Sequence, residues 1–278
     1  MHNATPVSGD LLVEHADGFW FACIHRPDRR NALTDAVVAA LGDLIDRVAA
    51  DPDARALVLS GAGGHFCAGA DFAGFERLLA GEAAPADDPI VRHNRHFGAL
   101  LERLAALPVA TVAVVSGSAI GGGCGLAAAC DRVIATDDAV LAMPEVTLGV
   151  APAQIAPFII RRAGDARARW LMMAGTRMSA TAALDAGLVD RVVPAAELRA
   201  ALAADLLLLA AAEPAAVRAT KRIAALAAAG TLSATLDAAA LEFASLLRHG
   251  RAREGIAAVR QKRAPAWQAV VPTLPAFL

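Results

Sequence analysis

Tyrosine is absent from all 278 residues, and lysine supplies only two of the 26 basic side chains, Lys221 and Lys262. Aromatic residues make up 4% of the chain. Without a phenol, no mechanism that draws its acid or base from tyrosine is open to this protein. The lysine scarcity is a bias toward arginine and excludes little. Cysteine occurs four times, as Cys23, Cys67, Cys124 and Cys130, with no CxxC pair and no Cys/His spacing suited to a metal. The thiols are expected to be free, no metal is expected, and a reducing cytoplasm is the expected compartment. His65, His93 and His96 fall in separate local contexts and do not change that expectation. The first residues lack the basic region and apolar run of a secretion signal. A formal net charge of -2 and a pI near 6.4 provide no global attraction for nucleic acid or an anionic membrane.

Charge is also missing from Leu104 to Cys130, a stretch longer than the ~20 apolar residues of a membrane-spanning helix. Pro108, Gly117 and a cluster of glycines interrupt it, and the VATVAVV that follows Pro108 reads as a strand. A buried strand, a turn and a helix are expected there, and no membrane partner.

What is present is a large apolar fraction, 56%, enough for a substantial core. LLVEH and GFWFACIH read as two strands joined by a hairpin turn at Ala16-Asp17-Gly18. Thr34 is the expected cap of a helix through about Ala50, with Val37, Val38, Leu41, Leu44, Ile45 and Val48 on its apolar face. RALVLS is a buried strand, Asp71 begins another helix, LAGEAAPADD is a mobile surface loop, and Pro89 opens a helix that ends before Pro108. Strand 109–115, a glycine turn, a short helix, strand DRVIAT and AVLAMPE follow. This alternation predicts an α/β core over residues 1–194. Residues 195–278 carry mainly helix signals, with Pro214 at a start and Gly230 at a stop.

Two segments run from a strand through glycines into a helix: LVLSGAGGHFCAGADF and VAVVSGSAIGGGCGL. Such a turn presents free backbone N–H groups at a helix start, where they attract negative charge. GSAIGGG also fits the loose glycine pattern of tyrosine-dependent short-chain dehydrogenases, which the missing tyrosine excludes. No Gly-Lys-Ser/Thr follows the glycines, so this is no P-loop, and neither Ser116 nor Ser118 lies in GxSxG. Tight packing of helix on strand is the competing explanation for the glycines.

Read together with AVLAMPEVTLGVAPAQIAPF, the two segments resemble the enoyl-CoA hydratase/isomerase (crotonase) superfamily. FCAGADF, SGSAIGGGCGLAAACDRVIA and MPEVTLGVAP match three family segments in order, while RPDRRNALT and EGIAAVRQKRAPAW resemble its flanking regions. The resemblance implies a spiral of ββα units with a helical C-terminal part, assembled as a trimer or dimer of trimers. It implies acyl-CoA substrates, with coenzyme A entering as part of the thioester and no permanently bound cofactor. It assigns catalysis to Glu145 and to the backbone N–H groups of Ala70 and Gly122. Contacts to the acyl-CoA fall to Arg29, Arg30, Ala32, Ala68, Ala70, Asp71, Phe72, Gly122 and Lys262. Asp71 is expected to cap a helix rather than to react, and Arg26 is a further candidate for the phosphates. Arg161 and Arg162 read as a solvated helix end.

The sequence departs from the best-known hydratases at one place. They carry GGGCE where this chain has GGGCG, with Gly125 at the position of a second acid. Three accounts stay open: a hydratase of branched or carboxylated enoyl-CoAs, which PEVTLGVAPAQIAPF resembles; a Δ3,Δ2-enoyl-CoA isomerase working with one glutamate; and an acyl-CoA-binding protein without efficient hydration. The first is the expectation. Losing one oxyanion donor typically costs ~3–4 kcal/mol of transition-state stabilisation. A side chain at Gly122 would crowd the thioester beside this donor, so Gly122→Val is expected to abolish turnover and leave the far-ultraviolet circular dichroism spectrum of the folded protein unchanged.

Overall fold

A computed structural model of the chain describes residues 5–71 and 88–278. The predicted helix after Asp71, most of the predicted 79–88 loop, and Phe72 lie outside the described residues. The first hairpin forms where expected, with β2 (Leu11–Ala16) and β3 (Phe19–Ile24) in antiparallel register from Leu11↔Ile24 to Ala16↔Phe19. Asp17 and Gly18 both take positive φ, 52° and 80°, as the tight turn of a right-twisted hairpin demands. Thr34 caps α1 (Asp35–Ala50) by accepting the Val37 N–H at 3.3 Å, and all six predicted face residues of that helix are buried.

Beyond α1 the chain winds as a spiral that adds strands to two sheets. β4 (Ala56–Gly61), β5 (Ala110–Val115), β7 (Arg132–Thr136) and β10 (Arg191–Val193) run parallel beside β3. With β1 (Thr5–Ser8) at the other edge they form a seven-stranded sheet in the order β1-β2-β3-β4-β5-β7-β10. The second sheet has three short strands, β6 (Ser118–Ile120), β8 (Val140–Ala142) and β9 (Arg177–Ser179). One turn thus reads β5, β6, then α3 (Gly122–Ala129), and the next begins β7, β8. Parallel pairing of β5 with β7 and of β6 with β8 stacks these turns. The helix α2 (Pro89–Ala106) precedes β5, as Pro89 and Pro108 predict. The spiral of ββα units is the architecture the sequence leads one to expect.

Strand 109–115 does not run straight into the glycine turn as expected. Gly117, at φ 53°, redirects the backbone between them, and its carbonyl accepts the Val140 N–H. That frees Ser118–Ile120 to form the extra strand β6. The helix end read at Arg161 and Arg162 is that of α4 (Ala156–Ala163), while two further short helices, α5 (Asp165–Ala174) and α6 (Ala180–Asp185), are not anticipated from the sequence.

The strand alternation divides the core. Trp20, Ala22 and Ile24 face the cluster shared with α1, α2 and α3, while Phe19 and Phe21 face the opposite side with Val58, Val112, Val114 and Ile134. This outer face is closed by Ala201, Leu202, Leu206 and Ala210 of α7 (Leu198–Ala211) and by Val271, Leu274 and Phe277 of the tail. The helices α8 (Pro214–Ala229), α9 (Leu232–His249) and α10 (Ala252–Arg260) follow, and Pro214 and Gly230 bound α8 as predicted. Among the described residues no single helix is long and apolar enough to cross a membrane. The charge-free stretch is instead core, with Leu104, Leu107, Val115, Ala119 and Leu126 all buried.

One of the two lysines has a fixed post. Lys221 of α8 donates to the Asp131 carboxylate at 2.6 Å and to the Val109 carbonyl at 3.0 Å. The same Asp131 oxygen accepts the N–H and hydroxyl of the fully buried Thr111. Removing this acceptor strands a buried backbone donor. Asp131→Ala is expected to cost about 2 kcal/mol of folding stability, read as a lower midpoint in urea unfolding.

Candidate active site

Three successive turns of the spiral meet at the glycines. Leu33 bridges to Ala70, and Cys67 bridges to Ala119. The segment leading to Ala70 is thereby tied on both sides: Leu33 N–H to Gly69 O, Asp71 N–H to Leu33 O, Cys67 N–H to Ser118 O and Ile120 N–H to Cys67 O. Gly69 makes the approach possible. It holds φ 94°, and a Cβ there would stand 2.8 Å from the Ile120 carbonyl oxygen and 3.7 Å from the Gly122 nitrogen. The peptide carrying the Ala70 N–H therefore lies against the start of α3. Neither the Ala70 N–H nor the Gly122 N–H donates to an acceptor among the described residues. Gly122 is the first residue of α3, where an N–H has no intrahelical partner.

The three consecutive glycines have separate reasons. Gly121 takes φ 52° and gives its N–H to Ala142 O, and a Cβ on it would lie 2.9 Å from Glu145 Oε1. A Cβ on Gly123 would overlap the Cys67 carbonyl oxygen, so this glycine serves close packing of helix on strand and not the turn itself. A Cβ on Gly122 would meet only the ends of Leu33 and Phe97, each at 3.2 Å.

Glu145 opens a short 3-10 turn, Glu145–Leu148, that begins after Pro144 and ends at the left-handed Gly149. One carboxyl oxygen rests over Gly121, and Oε2 is enclosed with no hydrogen-bond partner among the described residues. Burial raises its pKa above the ordinary glutamate range, opposed in part by its own backbone N–H. The neighbouring Cys124 thiol is pushed up to about 12 by burial, with the Glu145 charge adding to the effect.

The early loop is organised by a residue the sequence reading passes over. Asn31 is fully buried in the left-handed conformation at φ 58°. Its amide donates to Ala62 O at 2.8 Å and His65 O at 2.6 Å and accepts from the Arg26 N–H. The only advance signal is that asparagine tolerates left-handed backbone. Arg26 is not free for a ligand: Asp10 and Asp71 flank its guanidinium at 3.3 and 3.1 Å, and it donates to Ala32 O. Arg29 and Arg30 are exposed on this loop, and Arg30 O accepts the Ala68 N–H. Lys262 lies just past α10, exposed, and its ammonium makes no hydrogen bond or ion pair among the described residues. Arg162 differs from the expected solvated helix end. Its side chain is 11% exposed, pairs with Asp190 and donates to Ala128 O and Cys130 O at the end of α3.

A family model described as enoyl-CoA hydratase/isomerase matches residues 17–270. A putative enoyl-CoA hydratase of Thermus thermophilus is 35% identical over 245 residues, 87% of this chain and 94% of the relative. A solved enoyl-CoA hydratase/isomerase from Marinobacter aquaeolei aligns with a TM-score of 0.91 at 36% identity, covering 94% of this chain and 100% of that one. Pseudomonas aeruginosa AtuE aligns with a TM-score of 0.90 at 40% identity, covering 93% and 99%. The chain belongs to the enoyl-CoA hydratase/isomerase family. It is an enzyme of that hydratase/isomerase type.

A carboxyl whose folded pKa lies above its unfolded value binds more protons in the native state between the two values. Stability then falls as pH rises through that window, and the penalty is complete above the folded pKa. Glu145→Gln is expected to melt higher than wild type at pH 8, with the gap closing as pH falls toward 4 in a series of thermal scans.

Proposed function

We propose that Glu145, Ala70 and Gly122 form the catalytic centre of an enoyl-CoA hydratase. The observation that carries this is the Glu145 carboxyl, with Oε1 over Gly121 and Oε2 enclosed without a partner, next to two backbone N–H groups that no acceptor among the described residues takes up. Water adds as follows. The Glu145 carboxylate takes a proton from water as the oxygen bonds to Cβ of the enoyl group. The displaced electron pair moves through Cα to the thioester oxygen, where the Ala70 and Gly122 N–H groups stabilise the enolate. Glu145 then returns the proton to Cα, and the enzyme is restored. A base of raised pKa is well matched to both transfers near neutral pH.

Arg29, Arg30 and Lys262 supply charge for the coenzyme A phosphates, while Ala32, Ala68 and Asp71 line its approach. Arg26 does not join them, because two carboxylates already neutralise it. The segment PEVTLGVAPAQIAPF supports a branched or glutaconyl-type acyl group. A homotrimer or dimer of trimers is supported by α9, which leaves Leu232, Leu236, Leu241 and Phe243 exposed. Δ3,Δ2-isomerisation is a second reading favoured by Gly125, because one carboxylate suffices to move a proton between two carbons.

Turnover of crotonyl-CoA, 3-methylglutaconyl-CoA and a 3-enoyl-CoA tests the proposal and separates the readings. Glu145→Gln is expected to lose at least about a thousandfold in kcat with KM little changed. Wild-type kcat/KM is expected to fall on the acid side through a pKa above the ordinary glutamate value. A Glu145→Gln variant with wild-type turnover would remove Glu145 from the mechanism.

A further inference from the structure

On α3, Gly122 and Gly125 lie three residues apart on one face, and on α2, Phe97 and Leu101 lie four apart. The two pairs oppose each other. A Cβ on Gly122 would stand 3.2 Å from Phe97 Cζ, and one on Gly125 would stand 3.5 Å from Leu101 Cδ1. At Gly125 a third group intrudes. The added Cβ would overlap Cγ2 of Ile155 and stand 2.9 Å from its Cβ. Ile155 is 3% exposed and sits at the start of α4, and its β-branched side chain attaches directly to that fixed backbone. It cannot yield as the tip of a long side chain would.

Glu145 meets this helix at Gly121, one residue before it begins. Position 125 is the next place on the face of Gly122 from which a second acid would project. Ile155 already fills that seat, and Leu101 closes its margin.

We propose that Ile155 is a specificity-determining residue: by occupying the side-chain seat of position 125, it holds the site to one carboxylate and to reactions in which that one group both takes and returns the proton. This rests on Glu145 and the two N–H groups acting as described above. With a second carboxylate seated at 125, one acid would take the proton of water while the other delivered a proton to Cα. Hydration would gain relative to isomerisation, which uses a single shuttling group.

The test uses the full-length protein, with crotonyl-CoA to read hydration and a 3-enoyl-CoA to read isomerisation. Gly125→Glu alone is expected to lose thermal stability and both activities. Combined with Ile155→Gly, it is expected to regain the fold, since glycine is acceptable at a helix N-cap, and to raise the hydration-to-isomerisation ratio about tenfold over wild type. A single Gly125→Glu variant that folds and gains hydration as the double variant does overturns the proposal. So does a folded double variant whose ratio stays at the wild-type value. If the double variant does not fold, melting of Gly125→Ala, Ile155→Ala and their combination decides. Steric exclusion requires Gly125→Ala to cost less in the Ile155→Ala background, and equal costs overturn it. Glu145→Gln separates the two readings. Turnover retained in that variant overturns the single-acid mechanism, whereas turnover lost, with an unmoved ratio or additive melting, overturns only the role of Ile155.

Discussion

The site depends on how closely two backbones approach at Gly123. There the Cys67 carbonyl occupies the space of any side chain, and the segment carrying Ala70 lies against the helix that begins at Gly122. A methyl group at this contact would push apart the two segments whose N–H groups are proposed to converge on one oxygen. Oxyanion donors act only when held within fractions of an ångström of the developing charge. The core beneath, from Leu33 through Cys67 to Ala119, serves to hold that approach, and its residues are at most 8% exposed.

Two kinds of constraint are built around this contact. The backbone donors cost the fold little, because helix starts and strand bridges leave N–H groups without partners anyway. Glu145 is different. Its enclosure without a partner for Oε2 among the described residues disfavours the charged form, so the group proposed to exchange protons with substrate is one the fold would be more stable without. Stability is recovered elsewhere, in satisfied polar clusters such as the one around Asp131, Thr111 and Lys221.

Much of the architecture could be read in the sequence, because it is written in local signals. Thr34, Pro89 and Pro214 each begin a helix, the Asp17-Gly18 turn joins two strands, and the apolar run 109–115 is a buried strand. The strand β6 was hidden because its pairing depends on Gly117 redirecting the chain toward β8, a long-range matter with no composition of its own. At the site, Glu145 and the glycines stood out through their motifs. Asn31, Phe97 and Ile155 did not, since their importance comes from what lies across from them in space. Arg26 and Arg162 looked like free surface charge, and only the folded chain shows the carboxylates and carbonyls that hold them inward.

The hold of Arg162 on the far end of α3 reaches beyond packing. A helix of eight residues is roughly 12 Å long, and its peptide dipoles put partial positive charge at Gly122 and partial negative charge at its last carbonyls. The guanidinium on Ala128 O and Cys130 O, itself paired with Asp190, satisfies the carbonyls of that negative pole. What remains is a short helix whose electric field is lopsided, its positive end uncovered and aimed where an enolate oxygen would form. On the proposed mechanism, a residue facing away from the substrate thus contributes to the potential that the substrate feels.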